Sequence, residues 1–312
     1  MEFKKYCSIE DIDFSNEIEK WLRMFPELKN EKYIIQEKIH GSNFSIWINK
    51  DGYKLANRTK FLEKGENFFG YEVLKPLFDK IFLKTKEILL SDKITEIVLF
   101  GELYGKKIQK GVYYSDKVKI AFFDIRINKE LVPQNKFLEY SQLLELDTVP
   151  KLAIVDNIKE ALNFNTKLNS KISDREFKEG ENIIEGIVIK PYNKIYISNG
   201  GNTFFLKKKN IEYKEKKRAK KNNKIVLEET EELKKLATIF KDYLTENRVN
   251  SVISKLGEIT SKNDIGKYLG YVINDAKEDF LKDYPKDYSK SESKYIFKKN
   301  NEIVKIIMNK IV

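Results

Sequence analysis

The sequence predicts an α+β N-terminal domain, built of antiparallel sheets with flanking helices, followed by a small all-helical C-terminal domain. The first observation is a series of short, strand-like apolar runs separated by turns, which fills much of residues 1–210. The second is the helical spacing of apolar residues throughout residues 226–312. The third is a change of character over Lys207–Lys224, where ten Lys or Arg and two Glu occur without apolar periodicity. We therefore divide the chain into residues 1–210, a basic linker at 211–225, and residues 226–312.

The N-terminal domain is predicted to begin with a helix and a group of strands. Apolar residues at helical spacing predict a short amphipathic helix over residues 16–25. Strand-like runs follow at Tyr33–Glu37, Asn43–Ile48 and Tyr53–Asn57. The turn Asn49–Gly52 joins the last two as a hairpin, because glycine readily supplies the positive φ that such turns need.

The rest of this domain alternates helices and strands. Apolar stripes predict helices over Gly70–Leu90 and Gln134–Leu146. Four further apolar runs are predicted as strands: Ile97–Leu103, Val118–Ile127, Ile183–Lys190 and Thr203–Lys207. Residues 147–182 are polar and weakly patterned, and we predict mixed structure there.

Four apolar stripes predict the helices of the C-terminal domain. The stripes consist of Leu233, Leu236, Phe240, Tyr243 and Leu244; of Val249, Val252, Ile253 and Leu256; of Ile265, Tyr268, Leu269, Val272 and Ile273; and of Ile296, Ile303, Val304, Ile307 and Ile311. Gly257 is expected to end the second helix. Ser261–Asp264 is typical of the capped start of the third.

Composition excludes several classes of protein. One cysteine among 312 residues excludes an internal disulfide framework, and one cysteine with one histidine excludes a Cys/His zinc site. No apolar run approaches the roughly 18 residues of a membrane span, and the N-terminus lacks the apolar segment of a signal peptide. We expect a soluble cytoplasmic protein without a membrane partner. The net charge of +11 favours a polyanionic partner, nucleic acid first, although a lysine-rich solvated surface would give the same charge.

Six segments of the N-terminal domain place polar or charged residues within strand-like apolar sequence. They are Glu37–Asn43, Asn57–Thr59, Phe100–Glu102, Phe123–Ile125, Glu185–Lys190 and Leu206–Lys209. Burying a charge costs several kcal/mol unless it is paired. So many charges at strand ends indicate a pocket for a charged ligand. Each segment alone has an ordinary structural explanation, and the order and spacing of the set carry the prediction.

This set resembles the RNA ligase 2 family of nick-sealing RNA ligases, which belongs to the lysine-adenylating nucleotidyltransferases. EKIHGSNF matches the family's nucleophile motif, and ANRT, FFGYE, FGEL, FFDI, IEGIVIKP and LKKKN follow in the family's order. The sequence from Asn247 onward is similar to the family's helical C-terminal domain. The resemblance implies an adenylyltransferase domain with an ATP-grasp-like ligase fold at 1–210 and an RNA-binding domain at 226–312.

The resemblance also implies a mechanism. Lys38 would attack ATP to form a lysyl-AMP, the AMP would move to an RNA 5′ phosphate, and a 3′-OH would displace it. The implied ATP-binding residues are Glu37, Ile39, Asn43, Arg58, Glu102, Phe123, Lys207 and Lys209. Glu185 would hold Mg²⁺ or Mn²⁺. The residues implied in the later, RNA-dependent steps are His40, Asp124, Arg248 and Asp275.

The resemblance extends to the partners. It implies a nicked double-stranded RNA or RNA/DNA hybrid as substrate, and we expect a monomer, with a phage or virus as a reasonable source. Structural alternatives remain for four residues: a packing imidazole for His40, a core aromatic for Phe123, and salt bridges for Arg248 and Asp275.

Two other functions stay open. DNA ligases and cap-forming guanylyltransferases carry Asp where this chain has His40, and they append a β-barrel rather than helices. An inert double-stranded RNA-binding protein is the third possibility. The presence of Lys38, Glu185, Lys207 and Lys209 argues against it, and transfer of label from ATP would exclude it.

Overall fold

A computed structural model describes residues 1–12, 15–105, 108–213, 229–288, 290–297 and 301–312. The chain divides into two compact units, Met1–Glu212 and Tyr213–Val312. Most of the basic linker predicted at 211–225 lies outside the described residues. The predicted fold class is confirmed, because strands and helices mix in the first unit while the second is helical. Among the described residues, no helix is both long and apolar enough to cross a membrane.

The first unit contains two five-stranded sheets. Sheet A has the strand order β1-β10-β9-β2-β8, and sheet B the order β4-β3-β5-β6-β7. All pairs are antiparallel except β1 with β10. The strands are β1 (Glu10–Asp11), β2 (Tyr33–Lys38), β3 (Ser42–Asn49), β4 (Gly52–Asn57), β5 (Glu96–Tyr104), β6 (Lys119–Ile127), β7 (Glu130–Leu131), β8 (Lys151–Val155), β9 (Gly186–Pro191) and β10 (Leu206–Lys209).

Helices flank both sheets. Those of the first unit are α1 (Ser15–Met24), α2 (Lys75–Ile88), α3 (Gln134–Leu143) and α4 (Ile158–Asn163). A core that includes Phe44, Phe78 and Phe137 joins sheet B to α2 and α3. A second core, which includes Trp21 and Tyr33, joins sheet A to α1 and α4.

A third apolar cluster lies on the other face of sheet B. It contains Trp47 and Phe100 of that sheet, Phe205 next to β10 of sheet A, and Tyr6 of the N-terminal segment. Because its members come from both sheets, this cluster lies where the two sheets face each other. Phe123, predicted to bind the nucleotide, packs against it.

The second unit is a set of helices around its own core. They are α5 (Glu229–Lys241), α6 (Glu246–Leu256), α7 (Ile265–Asp283), α8 (Lys290–Ile296) and α9 (Asn301–Met308). The core includes Phe240, Val252, Val272 and Ile303, which come from the predicted stripes. Gly257 follows α6 with a φ of 103°, which suits glycine at the end of a helix.

Some sequence predictions needed correction. Residues 71–74 form a 3₁₀ turn, and α2 begins only at Lys75, with Pro76 in its first turn. The weakly patterned region 147–182 contains β8 and α4, which have only five and six residues and are too short to show a clear period. The two-residue strands β1 and β7 are too short to show any period.

Candidate active site

The predicted nucleophile lies at the end of a strand on a tight connection between the two sheets. Lys38 is the last residue of β2 in sheet A, and Ser42 begins β3 in sheet B. A side chain on Gly41 would place its Cβ 2.1 Å from the carbonyl oxygen of Leu103 in β5. Glycine is therefore required for this connection to cross β5 so closely.

Lys38 belongs to a cluster of charges centred on Glu185. The Lys38 Nζ lies 2.7 Å from Oε2 of Glu185, and the His40 Nδ1 lies 3.4 Å from the same oxygen. The Lys209 Nζ lies 3.2 Å from the other oxygen, Oε1. The Glu185 side chain is only 3% exposed. Burial by itself would raise the pKa of Glu185, but Lys38, Lys209 and His40 hold it well below its usual range.

The close packing of β9 against β10 builds this cluster. A Cβ on Gly186 would lie 2.1 Å from the carbonyl oxygen of Lys208, so only glycine allows the two strands to approach here. The register pairs Gly186 with Lys209, which sets the Lys209 ammonium beside the neighbouring Glu185. Asn210 fixes the strand ends, since its N–H donates to the Glu185 carbonyl at 2.8 Å. Lys207, two residues before Lys209, is half-buried.

Three further predicted residues lie around sheet B. Asn43 of β3 is directly opposite Glu102 of β5 in the strand pairing. Burial raises the pKa of Glu102 to about 7, and Glu185 adds to the rise, while Lys38, Arg58 and the Gly41 N–H oppose it. Arg58 follows β4 and acts on Glu102 through its charge. The structure therefore brings Asn43, Arg58 and Glu102 into the neighbourhood of Lys38.

The raised pKa of Glu102 predicts a pH-dependent stability. Folding favours its protonated form, so stability falls as pH rises from the unfolded value of about 4.3 through about 7. We expect Glu102→Gln to match the wild type near about pH 5 and to melt a few degrees higher near about pH 8. Thermal unfolding of both proteins at the two pH values is the measurement. Glu130→Gln, on the exposed strand β7, is the control, and an equal gain from it would contradict the assignment.

Two residues beside the nucleophile are held by surrounding loops. The Glu37 carboxylate accepts bonds from the Ser170 hydroxyl at 2.6 Å and the Lys171 N–H at 2.8 Å, and burial raises its pKa. The His40 N–H donates to the Tyr114 hydroxyl at 2.7 Å. Ile39 between them is 3% exposed. Sequence reasoning missed Ser170 and Tyr114, which lie in segments without a recognisable motif.

Phe123 and Asp124 lie on β6. The pairing of β6 with β5 skips Phe123, because Phe100 pairs with Asp124 and Gly101 with Phe122. Phe123 is therefore the extra residue of a β-bulge, and its side chain is half-buried. Asp124 is fully buried, 2.8 Å from the Lys190 Nζ, and it also accepts bonds from Tyr6 and Gln134. Lys190, Tyr6 and Gln134 were not among the predicted site residues.

Arg248 and Asp275 belong to the helical unit. The Arg248 side chain is 1% exposed. Its guanidinium donates hydrogen bonds to the carboxylates of Asp275 and Asp279, and its Nε donates to the Tyr243 carbonyl at 2.9 Å. Asp275 also pairs with Lys255 at 3.0 Å. This geometry favours the salt-bridge alternative for both residues, since a buried guanidinium does not reach an external RNA.

The acidic residues fit a metal that arrives with a phosphate ligand. In the part of the chain that the structure describes, no three His, Cys, Asp or Glu side chains gather so as to hold a metal ion. Mg²⁺ is often held by one or two carboxylates, together with water and substrate phosphates. Glu185 offers one such carboxylate, and its two oxygens face cations that a phosphate could attract away.

Comparison with protein families finds two matches along the chain. Residues 31–209 match the family described as RNA ligase, and residues 227–311 match the one described as T4 RNA ligase 2 C-terminal. The first match alone spans more than half of the chain and contains the Glu185 cluster.

Similar individual proteins come from two groups of organisms. The mitochondrial RNA-editing ligase 1 of Trypanosoma brucei brucei is 23% identical over 212 residues, which cover 52% of this chain and 45% of that protein. The mitochondrial RNA-editing ligase 2 is 32% identical over 116 residues, covering 34% and 26%. The chain thus spans less than half the length of these relatives. A Naegleria gruberi RNA ligase solved with ATP and Mn has a similar fold, with a TM-score of 0.50, 16% identity, and coverage of 68% of this chain and 57% of that one.

Proposed function

The chain belongs to the RNA ligase family, and on that premise we propose that it is an ATP-dependent ligase that joins 3′-OH and 5′-phosphate ends of RNA. We propose further that it acts preferentially at nicks in duplex RNA and passes through a lysyl-AMP. The observation that carries the proposal is the buried Glu185 carboxylate, which gathers Lys38, Lys209 and His40.

The first step is attack by Lys38 on ATP. The Nζ lone pair forms a bond to the α-phosphorus, the bond to the bridging oxygen breaks, and pyrophosphate leaves. The amine must lose a proton before it can attack as a nucleophile. ATP phosphates would compete with Glu185 for the cations around it.

Charge on the reacting phosphate needs nearby cations. Lys207, Lys209 and Arg58 are the proposed phosphate contacts, because fixed positive groups stabilise charge that develops in the transition state. Glu185 would hold Mg²⁺ or Mn²⁺ together with phosphate oxygens, and the metal would supply further neutralisation of that charge. Asn43, opposite Glu102, would bind at the phosphates as well.

The adenosine part of ATP is assigned to Phe123, Glu102, Glu37 and Ile39. Phe123 would stack on adenine, a contact worth about 1–3 kcal/mol by analogy with other base–aromatic stacks. Glu102, with its pKa of about 7, can donate as well as accept a hydrogen bond at the ribose. Glu37 and Ile39 flank Lys38 in the sequence and would line the part of the site that holds the adenine base.

The later steps need RNA. The AMP phosphorus is transferred from Lys38 to the 5′ phosphate, and then the 3′-OH attacks that phosphate and AMP leaves. His40 lies 3.4 Å from Glu185, beside the proposed nucleophile, and the family resemblance assigns it to these steps. The helical unit and the basic linker would hold the duplex through phosphates and sugars.

Sealing of defined nicks tests the substrate. RNA on the 3′-OH side favours A-form geometry, whose wide minor groove displays 2′-hydroxyls, while phosphates are common to RNA and DNA. We expect pre-adenylated nicks with two ribonucleotides at the 3′-OH end to be sealed faster than nicks with two deoxynucleotides, at two salt concentrations. Salt should weaken binding of both alike. Equal sealing rates for the two nicks would favour a DNA ligase. Labelling of the protein by GTP instead of ATP would favour a cap-forming enzyme.

A further inference from the structure

An ion pair joins the two sheets next to Phe123. Lys190 of β9 in sheet A lies 2.8 Å from Asp124 of β6 in sheet B, and their side chains are 1% and 0% exposed. Two charges so far from water are tolerated only with good geometry and further hydrogen bonds. Both groups are also hydrogen-bonded to other protein atoms, Asp124 to Tyr6 and Gln134, and Lys190 to the Phe123 carbonyl.

The carboxylate of this pair is fully engaged. Asp124 accepts bonds from Lys190, from the Tyr6 hydroxyl and from the Gln134 amide, the last at 2.5 Å. Tyr6 comes from the N-terminal segment and Gln134 from the start of α3. Tyr6 and Gln134, from two other parts of the chain, thus hold Asp124, and through it they fix the Lys190 ammonium.

The ammonium in turn contacts Phe123 in two ways. The Lys190 Nζ donates to the Phe123 carbonyl at 2.9 Å, and it lies 5.2 Å from the centre of the Phe123 ring. The Tyr6 ring meets the same ring edge-on, with centroids 5.2 Å apart. Phe123 is the bulged residue of β6, and a bulged residue is left out of regular strand pairing. The orientation of its peptide therefore depends on partners from outside the ladder.

We propose that Lys190 is a positioning residue for the base-binding ring of Phe123. Asp124, Tyr6 and Gln134 hold the Lys190 ammonium, and the ammonium holds the bulge that aims Phe123. This inference rests on the proposed function, in which that ring stacks on adenine. It gives Asp124 an indirect role in ATP binding, in place of the direct role in the RNA-dependent steps.

The same contacts make the N-terminal segment part of the pocket's support. Phe3 packs on Trp47 and Phe61, with ring centroids 5.7 and 5.4 Å apart, and this fastens the segment to sheet B. Tyr6 then reaches both Asp124 and the Phe123 ring. Tyr6→Phe, which removes only the hydroxyl, is expected to weaken ATP binding less than loss of Lys190.

The test is self-adenylation with labelled ATP. Lys190→Met alone leaves a buried unpaired carboxylate, so the main variant is the double change Lys190→Met with Asp124→Asn. We expect its KM for ATP to rise about tenfold while kcat changes less than about threefold, since the lost contact is base stacking. Adding Phe123→Ala to this variant should raise KM by much less than Phe123→Ala does in the wild type.

The matched control is Lys194→Met, outside the proposed site. The Lys194 Nζ lies 4.9 Å from the centre of the Tyr196 ring and 3.7 Å from the Glu27 carboxylate, so the control removes a lysine that contacts an aromatic ring and a carboxylate away from Phe123. Its KM for ATP should stay at the wild-type value. An unchanged KM in the Lys190→Met/Asp124→Asn variant, or full additivity with Phe123→Ala, would overturn the inference while leaving the ligase function intact. A wild-type protein that takes no label from ATP would instead reject the proposed function.

Discussion

Lys38→Ala is expected to abolish transfer of label from ATP to the protein. The amine of Lys38 is the proposed nucleophile, and no hydrogen-bonding or basic group remains on alanine to replace it. The fold should survive, because Glu185 keeps Lys209 and His40 as partners within 3.4 Å. Incubation with labelled ATP followed by denaturing electrophoresis measures the loss, and thermal unfolding verifies that the variant is folded.

Lys38→Arg separates the nucleophile from its charge. Arginine keeps a cation beside Glu185 but stays protonated, so it cannot attack phosphorus. It should be as inactive as Lys38→Ala in labelling. Both variants should still seal a nick whose 5′ phosphate already carries AMP, because the last step does not use the lysine as nucleophile. Labelled Lys38→Ala protein, with the AMP mapped by mass spectrometry, would disprove the assignment.

The fold was largely predictable because its elements are carried by local patterns. The turn Asn49–Gly52 and the runs on either side of it form the β3–β4 hairpin with Asn49 opposite Gly52, as predicted. The helical stripes likewise form the core of the second unit. The order of the strands within the two sheets is not carried by local patterns. Pairings such as β2 with β9 join residues about 150 positions apart, and they leave no local signal in the sequence. That order was not predicted.

The site was predictable only where charges interrupt apolar strands. Lys38, Glu185 and Lys209 stand at strand ends in the sequence, and the structure brings them together around one carboxylate. Lys190 stands in a similar context, yet its ammonium is buried against Asp124 rather than turned to the cluster. The sequence alone does not show whether a lysine at a strand end joins the Glu185 cluster or is buried in an ion pair, because the outcome depends on which strand pairs beside it.

Arg248 shows how partners distant in the sequence bear on the choice between two predicted roles. The resemblance implied that Arg248 acts in the RNA-dependent steps, with a salt bridge as the alternative, and the structure encloses its guanidinium between Asp275 and Asp279 of α7. These carboxylates lie 27 and 31 residues away in the chain, so the pairing follows from the way α6 packs on α7. The resemblance to the RNA ligase 2 family is confirmed by the two family matches.

Removal of residues 226–312 is expected to spare self-adenylation and to impair sealing strongly. The proposed ATP-binding residues all lie within the first compact unit, Met1–Glu212, which has cores of its own. Labelling by ATP should therefore stay within about threefold of the full chain. Sealing of nicked duplex RNA should fall on the order of 100-fold, since phosphate contacts supply much of the affinity for nucleic acid.

Two truncated proteins with different C-terminal residues separate the contribution of the linker to RNA binding from that of the helices. A protein ending at Ile225 keeps the basic linker, whereas one ending at Glu212 lacks most of it. If linker lysines contact phosphates, the longer protein should bind nicked RNA more tightly at low salt, and the difference should shrink as salt rises. Wild-type sealing by the shorter protein would reject this division of labour. Loss of self-adenylation in a folded truncated protein would show instead that the helical unit takes part in ATP chemistry.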